Sequence, residues 1–166
     1  MKILLLSLFI ALYSSCSMMS SNESGAYHKS GSVHNELMQN LPRNWTKINK
    51  ETSDFAISNS ATRSVFLLNS ACRKYEASNL NSLTSAILTG VEIVKILEKK
   101  IITYQDRDAM DLTVLGKLDG VERYFHLLTT QKNNCIYDFV LISTSERNLK
   151  KDNLDFQSFI QRIELN

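Results

Sequence analysis

The sequence predicts an α+β fold: one mostly antiparallel β-sheet sandwiched by helices, behind a leader that is not part of the domain. Three observations carry this expectation. Met1 to Cys16 (MKILLLSLFIALYSSC) reads as an export signal. Asp119-Gly120 separates two segments of alternating polarity, the pattern of a tight hairpin. Cys135 to Thr144 (CIYDFVLIST) is apolar on both alternations apart from Asp138, as a central strand covered on both sides must be.

These readings divide the chain into a signal peptide over residues 1–15, a flexible linker over 16–36 and a single α+β domain over 37–166. Roughly 130 residues suffice for one domain that buries about two-thirds of its unfolded surface without help from a metal. With 43% hydrophobic and 22% charged residues and a formal net charge of +2, the composition is ordinary for a globular protein. That balance excludes a disordered chain or a polyanion-coating protein, so nucleic acid is not an expected partner.

At the N-terminus Lys2 supplies the positive start, and Ile3 to Tyr13 form an apolar run too short for a permanent bilayer span. Ser14-Ser15 supply the small residues that a signal peptidase requires. Tyr13-Ser14-Ser15-Cys16 resembles the bacterial lipobox, with tyrosine where leucine is usual. The resemblance covers residues 1–16 alone and implies a small bacterial envelope lipoprotein, cut before Cys16 and acylated on its thiol. Several acyl chains anchor durably where one is marginal. With Ser17 rather than aspartate next, the same resemblance implies the outer membrane, with the domain facing the periplasm. The alternative is ordinary secretory cleavage nearby, which yields a secreted or free periplasmic protein. Ser17 to Ser32 (SMMSSNESGAYHKSGS) lacks apolar periodicity and is expected to be a flexible spacer.

The folded part is expected to begin with a turn at Leu41-Pro42-Arg43-Asn44 that delivers Trp45, the sole tryptophan, as a lid on the core. Asp54 to Ser58 and Ser64 to Cys72 read as two strands joined by a loop. From Ser78 the period changes: Leu80, Leu83, Ile87, Leu88 and Val91 share one helical face, with Ser78 as N-cap and Gly90 as stop. Val94 to Leu97 and Ile101 to Gln105 are short enough to be separate strands.

The Asp119-Gly120 turn sets a register. Leu118 faces Val121, Lys117 faces Glu122, Val114 faces Phe125 and Leu112 faces Leu127, which makes one face apolar throughout. The other face is mixed, with Leu115 opposite Tyr124 and Thr113 opposite His126. The last helix presents Leu149, Phe156, Phe159, Ile160 and Ile163 inward and Lys150, Lys151, Asp155 and Gln161 outward.

Leu41-Pro42-x-x-Trp45, two strands, a helix, a long hairpin and a C-terminal helix follow an order similar to that of the PsbP-like family of the photosynthetic oxygen-evolving complex. The resemblance spans the folded part as element order only. It implies an accessory or scaffolding module that binds other proteins, and it transfers no functional residue because no specific motif matches.

Cys72 and Cys135 remain once Cys16 is lipidated, and an even pair in an oxidising compartment suggests a disulfide; two buried free thiols are the alternative. Asp106, Asp108, Asp111 and His126 are the clustered acid and histidine groups, with Asp111 and His126 diagonal neighbours on one face of the hairpin. No tight ligand spacing such as His-x-x-x-His accompanies them, so solvated turn carboxylates are the expected reading and no metal, cofactor or catalytic residue is assigned. Ser30 and Ser32 near His28 and His34 fall in the spacer, where nothing would hold a triad in register. The expectation is therefore a non-enzymatic lipoprotein, anchored in the outer membrane through its lipid, whose domain binds or scaffolds an envelope protein. The alternative is a secreted or periplasmic small-ligand binder or hydrolase with a site near His126.

Overall fold

The computed structural model describes residues 41–49, 53–72 and 79–165. The expected signal peptide, Cys16, the linker and the Ser78 cap lie outside these residues. Seven strands form one sheet: β1 (Trp45–Lys47), β2 (Phe55–Asn59), β3 (Val65–Cys72), β4 (Val91–Tyr104), β5 (Arg107–Leu118), β6 (Val121–Lys132) and β7 (Cys135–Ser143). Their spatial order is β1-β2-β3-β7-β6-β5-β4, with every neighbouring pair antiparallel. Two helices complete the described fold, α1 (Leu80–Ile87) and α2 (Glu146–Gln161).

The doubly apolar strand takes the central place that its sequence demands. Phe139 and Leu141 of β7 face one core cluster, with Phe55, Ile57 and Phe66 of the neighbouring strands and Leu149, Phe156, Phe159 and Ile160 of α2. Val140 faces the other, with Met110, Leu112, Val114, Phe125 and Leu127, against which Leu80, Ile87 and Leu88 pack. Each fully buried large side chain contributes about 1.5–3 kcal/mol relative to exposure. The expected sandwich is met only in part, because α1 has eight residues and packs on β5 and β6, while β4 stands beyond its cover with Glu92 to Lys100 exposed.

Strands β4 to β7 are a meander joined by two-residue turns. The Asp119-Gly120 hairpin forms in the expected register, with positive φ at both turn residues (51° and 76°). Gln105-Asp106 and Asn133-Asn134 make the same kind of turn, again with positive φ at both positions, and close hairpins that the sequence reading did not anticipate. Val94 to Leu97 and Ile101 to Gln105 are not separate strands but parts of the 14-residue β4. Two register shifts, between Ile93 and Lys95 and between Ile96 and Glu98, break its alternation. Gly116 lets β4 lie close: a Cβ there would meet Val91 Cγ1 at 2.5 Å.

The helix boundaries also move. Asn79 caps α1, its side chain accepting from Ser82 N at 2.8 Å, and Val91 belongs to β4 rather than to the helix. Gly90, with φ of 88°, turns the chain between them. On α2, Asp155 does not point to water but accepts from Trp45 Nε1 at 2.7 Å, while Trp45 lies edge-on to Phe159. Asp152 is buried and bonded to Asn59 Nδ2 and Thr62 Oγ1, which ties α2 to the β2–β3 turn. At the C-terminal end of α2 the Tyr104 phenol reaches the carbonyls of Ile160 (2.8 Å) and Ile163 (3.1 Å), and burial pushes its pKa up to about 12.

Cys72 and Cys135 stand directly opposite in the β3–β7 register and are joined by a disulfide across 63 residues. A loop of that length corresponds to at most about 4 kcal/mol in the chain-entropy treatment, reduced by any residual structure in the unfolded chain. Reduction is expected to lower the melting temperature while leaving the domain folded at room temperature. Mass spectrometry of unreduced, alkylated protein should find neither cysteine labelled; label on both would refute the bond.

Candidate functional site

The diagonal pair read from the hairpin register is formed. Asp111 on β5 and His126 on β6 meet through Oδ1 and Nε2 at 2.8 Å, both buried. Asn153 of α2 supplies Oδ1 to Nδ1 at 2.8 Å, and the ring lies against Phe156 with centroids 4.7 Å apart. The Asp111 carboxylate only accepts, so Nε2 donates to it, and a neutral ring gains its second bond when the Asn153 amide is turned over to donate to Nδ1. Lys100 of β4 approaches the outer oxygen of Asp111 at 3.8 Å and also bonds Glu98 at 2.6 Å.

Of these groups His126, Asn153 and Glu98 border a groove of about 290 Å³ between the outer strands and the N-terminal half of α2. It is lined by Leu97, Glu98, Thr113, His126, Glu146, Leu149, Lys150 and Asn153. A general base needs a ring nitrogen turned toward a substrate, and here both nitrogens face protein oxygens. Thr113 stands opposite His126 in the ladder, but the bonds to Asp111 and Asn153 leave no ring lone pair directed at its hydroxyl. The arrangement clamps α2 onto the sheet and leaves a mixed polar and apolar groove above it.

Asp106 and Asp108 do not join the pair: both are exposed, at the β4–β5 turn and the start of β5. Among the described residues no group of three or more His, Cys, Asp or Glu side chains is arranged to hold a metal. Asn153, Lys100 and Glu98 were missed in the sequence because they enter from elements whose packing no local spacing encodes.

A second polar group lies on the α1 face of the sheet. Asn69, Asp138 and Thr129 form one row across β3, β7 and β6. Among the described residues, Asn69 Oδ1, Asp138 Oδ1 and Thr129 Oγ1 are buried without a hydrogen-bond partner. Burial pushes the Asp138 carboxyl up to about 7; the Thr129 hydroxyl, which faces it without reaching hydrogen-bond geometry, offsets that only in part.

No family model and no curated protein sequence matches the chain. Solved structures do. The cyanobacterial PsbP protein (CyanoP) of Synechocystis superposes with a TM-score of 0.56 at 9% identity, over 76% of this chain and 84% of its own. PA94 of Pseudomonas aeruginosa, a protein of unknown function, superposes at 0.55 with 11% identity, over 74% and 82%. LpqN of Mycobacterium tuberculosis, involved in cell envelope biogenesis, is a looser superposition at 0.48 with 10% identity, over 74% and 78%. The fold of this chain is thus similar to the PsbP fold, as its element order suggested.

Asp138 sets a pH dependence whose sign follows from its raised value. The unfolded chain loses this proton near pH 4 and the folded protein near pH 7, so the contribution is full below about pH 4, falls between about 4 and 7, and is flat above. Three units correspond to at most about 4 kcal/mol. Asp138→Asn is expected to be more stable than the parent at pH 8 and to lose this slope, measured as the difference between the two unfolding curves across pH. Parallel curves would show that the carboxyl binds its proton equally in the folded and unfolded chain, and would refute the raised value.

Proposed function

We propose that this chain is a lipid-anchored envelope protein whose domain is a non-enzymatic module for binding another protein. The observation that carries the reading is where its apolar surface lies. Among the described residues, the exposed large hydrophobic side chains are Ile93, Val94, Ile96, Leu97, Ile101, Leu118, Val121 and Leu154. All but Leu154 lie on β4 or on the β5–β6 turn beside it. A concentrated exposed apolar surface marks an interaction site, whereas scattered single residues need no explanation.

Several further points support the reading. The Cys16 lipobox resemblance supplies the tether, and the outer membrane facing the periplasm is the destination that Ser17 favours. Within the fold, a disulfide suits an oxidising compartment outside the cytoplasm. CyanoP shares the fold at a distance where only the fold is carried over, so a scaffolding role rests on the surface and not on that likeness. The second reading, a small-ligand binder at the His126 groove, draws on its 290 Å³ and its mixed lining. It is the weaker of the two because the imidazole is spent on Asp111 and Asn153.

Two experiments test the proposal. Cys16→Ser is expected to abolish acyl labelling and move the protein to the soluble fraction; an unlipidated parent with unchanged membrane fractionation would sink the anchor. A photo-crosslinking residue at Val94 in intact cells should yield discrete protein adducts, while the same residue at the isolated Leu154 should not. Equal absence of adducts at both positions would reject the binding surface.

A further inference from the structure

We propose that β4 is a self-pairing edge, through which a second copy of this chain extends the sheet across a two-fold axis centred on Ile96. This rests on the reading of the β4 surface as a binding site and names its partner. The two edges of the sheet are unlike. The β1 edge is three residues long, which by itself discourages pairing. The β4 edge is 14 residues long, has no described strand beside it, and is exposed from Glu92 to Lys100.

Lysines and bulges at an edge usually prevent association, and β4 has both. What distinguishes it is the order of its charges. Residues opposite one another in an antiparallel pair share a sheet face. On β4, Val91, Ile93, Ile96, Lys99 and Ile101 share one face, and Glu92, Lys95, Glu98 and Lys100 the other, with Val94 and Leu97 inserted at the two register shifts. Same-face pairing of two copies about Ile96 sets Glu92 opposite Lys100 and Lys95 opposite Glu98, each twice by symmetry. On the other face Val91 meets Ile101, Ile96 meets Ile96, and the alkyl stem of Lys99 covers Ile93.

No adjacent same-face register does this. One step in one direction sets Lys95 against Lys100 and Glu98 against itself; one step in the other sets Glu92 against Glu98 and Lys95 against itself. Like charges directly opposite are destabilising. The two-fold register about Ile96 is therefore selected by charge as well as by apolar contact. Within each copy Lys117 already reaches Glu92 at 3.4 Å and Lys100 reaches Glu98 at 2.6 Å, so the new pairs would join a continuous ladder of alternating sign. A protective edge has no reason to be self-complementary.

The test uses the full chain in detergent micelles and two exposed positions whose reversal leaves the fold alone. The wild type is expected to sediment as a dimer at micromolar concentration. Lys95→Glu and Glu98→Lys should each weaken self-association by about tenfold or more, because each creates two like-charge contacts. An equimolar mixture of the two variants should associate more strongly than either alone, since the acid introduced at position 95 of one copy then faces the base introduced at position 98 of the other, and the native Glu98 and Lys95 face each other in return. Melting temperatures equal to that of the wild type, measured at a dilution where all three are monomeric, exclude misfolding as the cause. A wild type that stays monomeric up to about 100 µM, or a mixture no better than its components, overturns the proposal. Adducts from Val94 to a different protein, together with a monomeric chain, would remove the second copy while leaving the binding surface standing.

Discussion

The fold depends on one constraint: β7 is apolar on both faces, so neither face can be left to water. Phe139 and Leu141 require cover on one side and Val140 on the other. A strand of this kind must be central, with hydrogen-bonded neighbours on both edges, and β3 and β6 supply them. The long helix α2 then closes the larger cluster and the short α1 the smaller. The polar row of Asn69, Asp138 and Thr129 interrupts that logic. A carboxyl in the most buried strand of a sheet lowers stability, and the Thr129 hydroxyl relieves it only in part.

How far the sequence was legible follows from which residues act locally. The Asp119-Gly120 hairpin could be read because its turn chemistry fixes the register, and the register in turn brought Asp111 and His126 together correctly. The Cys72–Cys135 bond was suggested by their number and an oxidising compartment, and it is the β3–β7 register that sets them opposite. Asn133-Asn134 carries a turn signal of equal physical merit, since asparagine tolerates positive φ. Gln105-Asp106 does not, and that turn is imposed by the pairing of its strands. β4 was misread as two strands because each bulge moves the apolar set to the other face, which destroys the alternation on which strand reading relies.

The rest was illegible for a different reason. Trp45 with Asp155, and Asn59 and Thr62 with Asp152, join residues 90 or more positions apart. Nothing in the spacing of either partner announces the other. Asp155 looked like a solvated helix position because a carboxylate on an amphipathic helix usually is one, and only the indole of the first strand makes it otherwise. The same holds for Asn153, which enters the His126 cluster from the helix, while its partners come from the hairpin.

The contacts between Trp45 and α2 also govern the order in which the molecule can be completed. The first described strand and the last helix close on each other across 110 residues, and β3 finds its central neighbour only after the whole meander exists. Such non-local closure makes folding slow, because chain entropy is lost before the contacts that compensate it can form. A growing chain that lacks its final helix leaves Phe66 and Trp45 without the aromatic rings that cover them. The sheet can therefore bury these rings only once α2 is available, which makes that helix the last piece the larger core requires.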